Sequence, residues 1–196
     1  MIADLIAIVE LTHKFQAIKR KIWLPQQEVL ENDAEHSYQL AFAAWFLITT
    51  QKLPLDAEKA MKYGLAHDLV EVHAGDVYAF EKDQGIVDGK AQREAEAAEL
   101  LKKEYPNFAE LHSIIYNYEQ RADEESKFVY ALDKLLAAIT TFLDNGKVWK
   151  IEGFTLEEFI EKKLPQISRD ERVKSYFFEL VDLIKKDLPK YFPRTS

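Results

Sequence analysis

Apolar side chains recur at three- and four-residue intervals almost from one end of the chain to the other. Leu5, Ile8, Val9, Thr12 and Phe15 mark one face of a first helix that ends near Lys19. A linker containing Pro25 and several polar residues follows. In Asn32-Asp33-Ala34-Glu35, Asn32 caps a second helix and Glu35 reciprocates from three positions later. That helix carries Leu40, Ala43, Ala44 and Leu47 to about Thr50, and His36 lies on the same stripe, so its imidazole faces inward. Pro54 and Asp56 restart the chain into a third helix over 57–70. There His67 shares a face with Ala60, Tyr63 and Gly64, and the glycine leaves room for a close neighbour.

From 71 to 89 the periodicity dissolves into Gly-Asp, Asp-Gln-Gly and Asp-Gly steps, which predicts an irregular surface loop of a length that is often functional. Helices resume over 90–104, 106–119 and 124–143. The last holds Asp133 among Phe128, Val129, Leu132, Leu136, Ala137 and Ile139, and a helix apolar on nearly all sides is buried. Thr155 with Glu158 forms another capping box, followed by helices to Leu164 and over 168–186. Six glycines and six prolines are too few for a many-stranded sandwich or barrel. The expectation is an all-α fold: one compact multi-helix domain over 1–196, with C-terminal helices at about 150–190 packed on it.

Two imidazoles, His36 and His67, and two carboxylates, Asp68 and Asp133, fall on inward faces of this plan. A buried charged or polar group without a partner costs several kcal/mol, and a shared divalent cation compensates all four together. The chain has no cysteine, so thiolate sites and disulfides are excluded. Nitrogen and oxygen ligands suit Mn, Co, Fe, Zn or Mg, and the absence of cysteine fits a reducing, cytoplasmic setting. The formal charge of −8, from 34 acidic and 26 basic residues, argues against a nucleic-acid polymer as partner. It does not exclude a small phosphorylated substrate, because a bound metal supplies positive field locally. The N-terminal segment carries Asp4 and Glu10 and reads as a structural helix, and no uncharged run approaches the ~20 residues of a membrane span.

His36, the doublet His67-Asp68 and the distal Asp133, each on a separate helix, resemble the ligand pattern of the HD superfamily of metal-dependent phosphohydrolases. The likeness is closer to the small 5'-deoxynucleotidase-like HD proteins. It is carried by Glu35-His36-Ser37, by His67-Asp68-Leu69-Val70-Glu71-Val72, by Gly75-Asp76 and by Ala131-Leu132-Asp133-Lys134-Leu135, and it spans about 5–145. It implies an all-helical HD domain in which His36, His67, Asp68 and Asp133 hold one divalent ion. Glu71 and Asp76 are implied as catalytic groups, which fits a metal-activated water whose nucleophile a carboxylate orients or deprotonates. Two segments differ from that branch: Arg20 and Trp23 are separated by Lys21 and Ile22, and 77–80 reads Val-Tyr-Ala-Phe without prolines.

The expected substrate is a small phosphorylated molecule, a nucleoside 5'-monophosphate, with Arg20, Lys19 and Lys134 as phosphate contacts and Trp23, Tyr78 and Phe80 as base or sugar contacts. A phosphodiesterase or nucleoside polyphosphate hydrolase of the same superfamily is the rival enzyme. A scaffold that keeps the metal only as a staple is the rival of another class. His73 and His112 are not expected to bind a second ion. The resemblance and symmetry statistics imply a homodimer, for which Trp45, Trp149, Tyr176 and Phe177 are surplus aromatics.

Overall fold

The computed structural model describes residues 1–76, 83, 85 and 88–193, so Tyr78 and Phe80 lie outside the described residues. The chain begins with α1 (Ile2–Gln16) and a short antiparallel hairpin, β1 (Lys19–Trp23) and β2 (Leu30–Asn32). It continues with α2 (Asp33–Thr50), α3 (Ala57–Ala66), α4 (Glu71–Ala74), α5 (Lys90–Glu104), α6 (Ala109–Gln120) and α7 (Glu124–Leu143). Then come α8 (Lys147–Glu152), α9 (Leu156–Ile167), α10 (Glu171–Lys185) and α11 (Leu188–Tyr191). Among the described residues the fold is all-α around one hairpin.

The hairpin replaces the end of the predicted first helix and the linker after it. The Leu24 amide donates to the Val29 carbonyl at 2.8 Å, Gln26 takes φ 61°, and Lys19 and Trp23 pair with Asn32 and Leu30. The Gln26 amide also donates to Asp144 Oδ1 at 3.0 Å, which fastens the turn to the end of α7. These are tertiary gains that five alternating residues do not announce locally. The Asn32–Glu35 capping box forms as predicted, and α7 has one of its own between Asp123 and Ser126.

The third helix stops at Ala66, short of the predicted Val70. After His67 the backbone bonds tighten from four-residue to three-residue spacing, with Leu69 N–H to Ala66 O at 3.2 Å and Glu71 N–H to Asp68 O at 2.9 Å. At this irregular end of the helix the side chains of His67 and Asp68 meet, Nε2 to Oδ2 at 2.9 Å.

Gly64 sits at the crossing of α2 and α3, where an added Cβ would lie 2.8 Å from both the Cα and the N of Ala41. The room predicted at this glycine is taken by the backbone of α2. α7 is the central element, burying eleven residues from Ser126 to Thr141 and packing against α2, α3, α9 and α10. One buried hydrophobic cluster runs from Leu11 to Phe192, so the C-terminal helices share the core of the rest. Trp149 is part of it, stacked on Phe192 at 4.9 Å and beside Phe159 at 4.7 Å, and Phe177 is fully buried there. Neither is a surplus aromatic for a partner, and Tyr176 is half-buried against the same cluster.

Candidate metal centre and active site

Four elements deliver the site. His36 comes from the opening turn of α2, His67 and Asp68 from the turn after α3, Asp133 from the middle of α7, and Glu71 from the start of α4. The close α2–α3 crossing brings the rings of His36 and His67 to 5.4 Å. His36, His67 and Asp133 each offer a ligand atom within 4.8 Å of the other two. His36 Nε2 lies 2.9 Å from Asp133 Oδ1, and His67 Nε2 lies 2.9 Å from Asp68 Oδ2. The structure therefore brings together the four residues expected as ligands.

The hydrogen bonding around His67 fits a cation. Its Nδ1–H donates to the Gly64 carbonyl at 3.0 Å, which fixes the ring and turns Nε2 toward Asp68. The contact of Nε2 with Asp68 Oδ2 is close but not aligned as a hydrogen bond, and Nε2 is buried with no other partner among the described residues. Against burial, the Asp68 carboxylate raises the proton affinity of this ring, and a divalent ion would take the place of that proton between Nε2 and Asp68.

Charge is balanced tightly here. Burial alone would raise the carboxyls of Asp68 and Asp133. His67 and Arg20 nevertheless hold Asp68 well below the usual range, and Lys134 and His36 do the same for Asp133. Burial, reinforced by Arg20 and opposed by Asp133, lowers His36 to about 4, leaving a neutral imidazole suited to ligation. Lys134 Nζ sits 2.6 Å from Asp133 Oδ2.

A second acidic group adjoins the first. Asp33, Asp68 and Glu71 also place carboxylate oxygens within 4.8 Å of one another. Arg20 ties this group together, reaching Asp68 at 2.9 Å, Asp33 at 3.5 Å and Glu31 at 3.4 Å. Burial pushes Glu71 far above the usual carboxylate range, and Asp68, Asp76 and Asp33 push further the same way. Asp76 is also raised by burial, against the pull of Arg20. It follows Gly75, whose backbone at φ 73°, ψ 150° belongs to glycine, so the chain can turn sharply there.

A cavity of about 90 Å³ opens on these groups, lined among others by Arg20, Asp68, Glu71, Asp76, Lys90, Asp133, Lys134 and Lys163. Arg20 and Lys134 thus reach the cavity as expected phosphate contacts would. Arg20, however, is already engaged by three carboxylates and serves first to hold them. Lys19 is exposed and Trp23 lies under Lys147 Nζ at 3.8 Å, and neither lines the cavity. His73 pairs with Glu104 at 3.0 Å and His112 with the Tyr105 carbonyl at 2.8 Å, away from the four-residue group.

Asp33, Glu31, Lys90 and Lys163 were not anticipated. Asp33 and Glu31 flank Asn32 and read as the ordinary acidic start of a helix. Lys163 did leave a signal, because it interrupts the apolar stripe Leu156, Phe159, Ile167 of α9.

A family model described as an HD domain matches residues 12–173. A structure titled as a predicted metal-dependent phosphohydrolase from Magnetospirillum magnetotacticum MS-1 is 30% identical, with a TM-score of 0.82 over 97% of this chain and 95% of that one. A conserved hypothetical protein from Pyrococcus furiosus is 23% identical with a TM-score of 0.64, over 92% of this chain and 99% of that one. A Pyrococcus horikoshii OT3 protein is 24% identical with a TM-score of 0.63, over 92% and 98%; these last two likenesses concern the fold alone. No curated protein sequence matches the chain. With the domain model spanning most of the sequence and a 30% identical relative aligned over nearly all of it, the chain belongs to the HD-domain family.

Proposed function

We propose that the protein is a metal-dependent phosphohydrolase that releases phosphate from a nucleoside 5'-monophosphate. The observation that carries this reading is the sharing of one small cavity by two of the candidate metal ligands, Asp68 and Asp133, with Glu71, Asp76 and several cations. A staple needs the four ligands and none of the rest. The name of the Magnetospirillum relative is in keeping with the same reaction class.

His36, His67, Asp68 and Asp133 would hold the ion. A divalent ion so held supplies Lewis acidity at a phosphoryl oxygen and lowers the pKa of a water molecule toward neutrality. Glu71, whose Oε2 has no hydrogen-bond partner among the described residues, would orient the attacking water, and would take its proton only with the ion's positive charge offsetting the acidic neighbours that otherwise keep this carboxyl protonated. Asp76, its carboxyl raised by burial, carries a proton for the departing ester oxygen. Arg20 fixes Asp68, Asp33 and Glu31 against their mutual repulsion.

The cavity size bears on the substrate. At about 90 Å³ it is far below the ~300–1,000 Å³ of sites that enclose a drug-sized ligand, so it takes in one end of a substrate and not a whole nucleotide. A terminal phosphoryl group suits it better than the middle of a diester. The nucleoside assignment rests on the likeness of the motifs around His36, His67 and Asp133 to the deoxynucleotidase-like branch.

A screen of phosphorylated metabolites with Mn or Co tests the proposal by the products released. Nucleoside 5'-monophosphates should give nucleoside and inorganic phosphate. Asp68→Ala should lower kcat/KM by at least ~100-fold, since loss of even an outer-shell partner of a metal ligand costs 10–100-fold. Equal activity in that variant would sink the mechanism, and release of pyrophosphate or cleavage of diesters alone would sink the substrate.

A further inference from the structure

A second cavity, of about 390 Å³, lies where α1, α2, α3 and the start of α6 meet. It shares no lining residue with the cavity over the candidate metal centre. Phe15, Ala66, Leu111 and Ile114 are its buried walls, and Leu65 and Phe108, each about half exposed, line it as well. The volume falls within the ~300–1,000 Å³ of sites that enclose a small ligand, which are apolar with a few placed polar groups.

The polar side chains lining this cavity are Thr12, Ser37, Lys62 and Glu110. All but one are engaged within the protein. The Thr12 hydroxyl donates to the Val9 carbonyl at 2.8 Å, and Lys62 Nζ lies 2.6 Å from Glu110 and 2.7 Å from Glu58. Ser37 differs: it is 2% exposed, and its Oγ has no hydrogen-bond partner among the described residues. A serine inside a helix can bond back to the carbonyl four residues earlier, and Ser37 does not. Leaving that buried hydroxyl unbonded costs free energy that alanine, the better helix former, would not. Lys62 is already neutralised by two carboxylates, so the cavity has no charge to offer an anion, and its apolar walls disfavour any ionised guest. What this enclosure lacks is one neutral hydrogen bond.

We infer that this cavity binds a neutral, mainly apolar small molecule carrying one hydrogen-bonding group, which pairs with the Ser37 hydroxyl. That hydroxyl both donates and accepts, and its hydrogen rotates to suit, so an alcohol, an amine N–H or a carbonyl can meet it. Ser37 and Ala66 are the chain neighbours of His36 and His67, so the guest rests against both turns that carry those candidate ligands. The inference goes beyond the phosphohydrolase reading and does not depend on it.

The probe for the test is N-phenyl-1-naphthylamine, a neutral apolar molecule with a single N–H whose fluorescence rises in apolar surroundings. Titrated into full-length protein, it should bind saturably, one molecule per chain. Ser37→Ala should weaken it roughly three- to tenfold, the net worth of one neutral hydrogen bond, and should melt no lower than wild type without the probe. The hydrocarbon 1-phenylnaphthalene, which lacks the N–H, should displace the probe with the same affinity from wild type and from Ser37→Ala. Thr12→Trp, at an exposed position of α1, brings an indole into the cavity and should abolish binding, with circular dichroism to check that the variant is folded. If Thr12→Trp does not fold, the Ser37→Ala comparison decides alone. No saturable binding by wild type, equal probe affinity in Ser37→Ala, or binding that persists in folded Thr12→Trp would each overturn the inference.

Discussion

The Asp33 carboxylate is buried among the carboxylates of Asp68 and Glu71, and among the described residues only the carboxyl of Glu71, itself raised enough to carry a proton, stands ready to donate to it. Arg20 Nη1, at 3.5 Å, is too far for a strong bond. Burial and Asp68 therefore push the Asp33 carboxyl from its ordinary 3.8 up to about 6, against the pull of Glu71 and Arg20. In metal-free protein the folded state keeps a proton between these two values that the unfolded chain has released. Stability contributed by this group thus falls as pH rises through that window. Asp33→Asn removes the like charge and supplies an amide that can donate to Glu71. With chelator at neutral pH it should be more stable than wild type by ~1–3 kcal/mol, and its stability should vary less between pH 4 and 6. Activity should fall, because Glu71 loses a charged neighbour that sets its proton affinity, so stability and catalysis are exchanged at one position. Thermal melts with chelator and kcat with Mn check both halves; a variant less stable than wild type in chelator contradicts the argument.

The site depends on how closely α2 and α3 cross, and Gly64 sets that distance. A Cβ there would stand 2.8 Å from the backbone of Ala41, and backbone cannot swing aside as a flexible side chain would. Gly64→Ala should force the helices apart, costing ~1–3 kcal/mol, the usual range for overpacking. The rings of His36 and His67 move with their helices, so Mn affinity should fall well beyond the loss in stability. Titration of Mn by calorimetry beside a denaturant melt separates the two effects, and unchanged Mn affinity would mean that the ligands are placed independently of the crossing. The same crossing explains what could be read in advance. α5 and α7 begin and end where their long apolar periodicity predicts, and the stripes through His36 and Asp133 point both residues inward. The hairpin, the early end of α3, and the short α8 and α11 depend on contacts with distant segments, such as Gln26 with Asp144, and leave little periodic signal. Asp33 looked like an ordinary helix-start acid because its burial arises only when Arg20 and Glu31 are brought alongside by the hairpin.

α2 is apolar on two faces. One carries His36, Leu40, Ala44 and Ile48 into the core; the other presents Tyr38, Phe42, Trp45 and Phe46, each about half exposed or more, to solvent. Tyr38 stacks on Phe42 at 6.1 Å and Phe42 meets the edge of Trp45 at 5.8 Å, so the rings form one continuous patch. At roughly 150–250 Å² per aromatic, half of that surface across four rings gives about 400 Å², which is already in the range of the largest patch on an ordinary monomer. A helix apolar nearly all round is normally covered on both sides. A second copy of the chain is the simplest cover, because a two-fold axis across α2 sets the patch against itself and contributes about half of a standard interface of ~800 Å² per partner. We propose a homodimer across this face, in which Trp45 would be one of the covered rings. Phe42→Glu places two carboxylates against each other near such an axis, so it should sediment as a monomer with its metal affinity intact, since His36 lies on the opposite face. Wild type sedimenting as a monomer at every concentration, or Phe42→Glu remaining dimeric, would show that this face is not the interface.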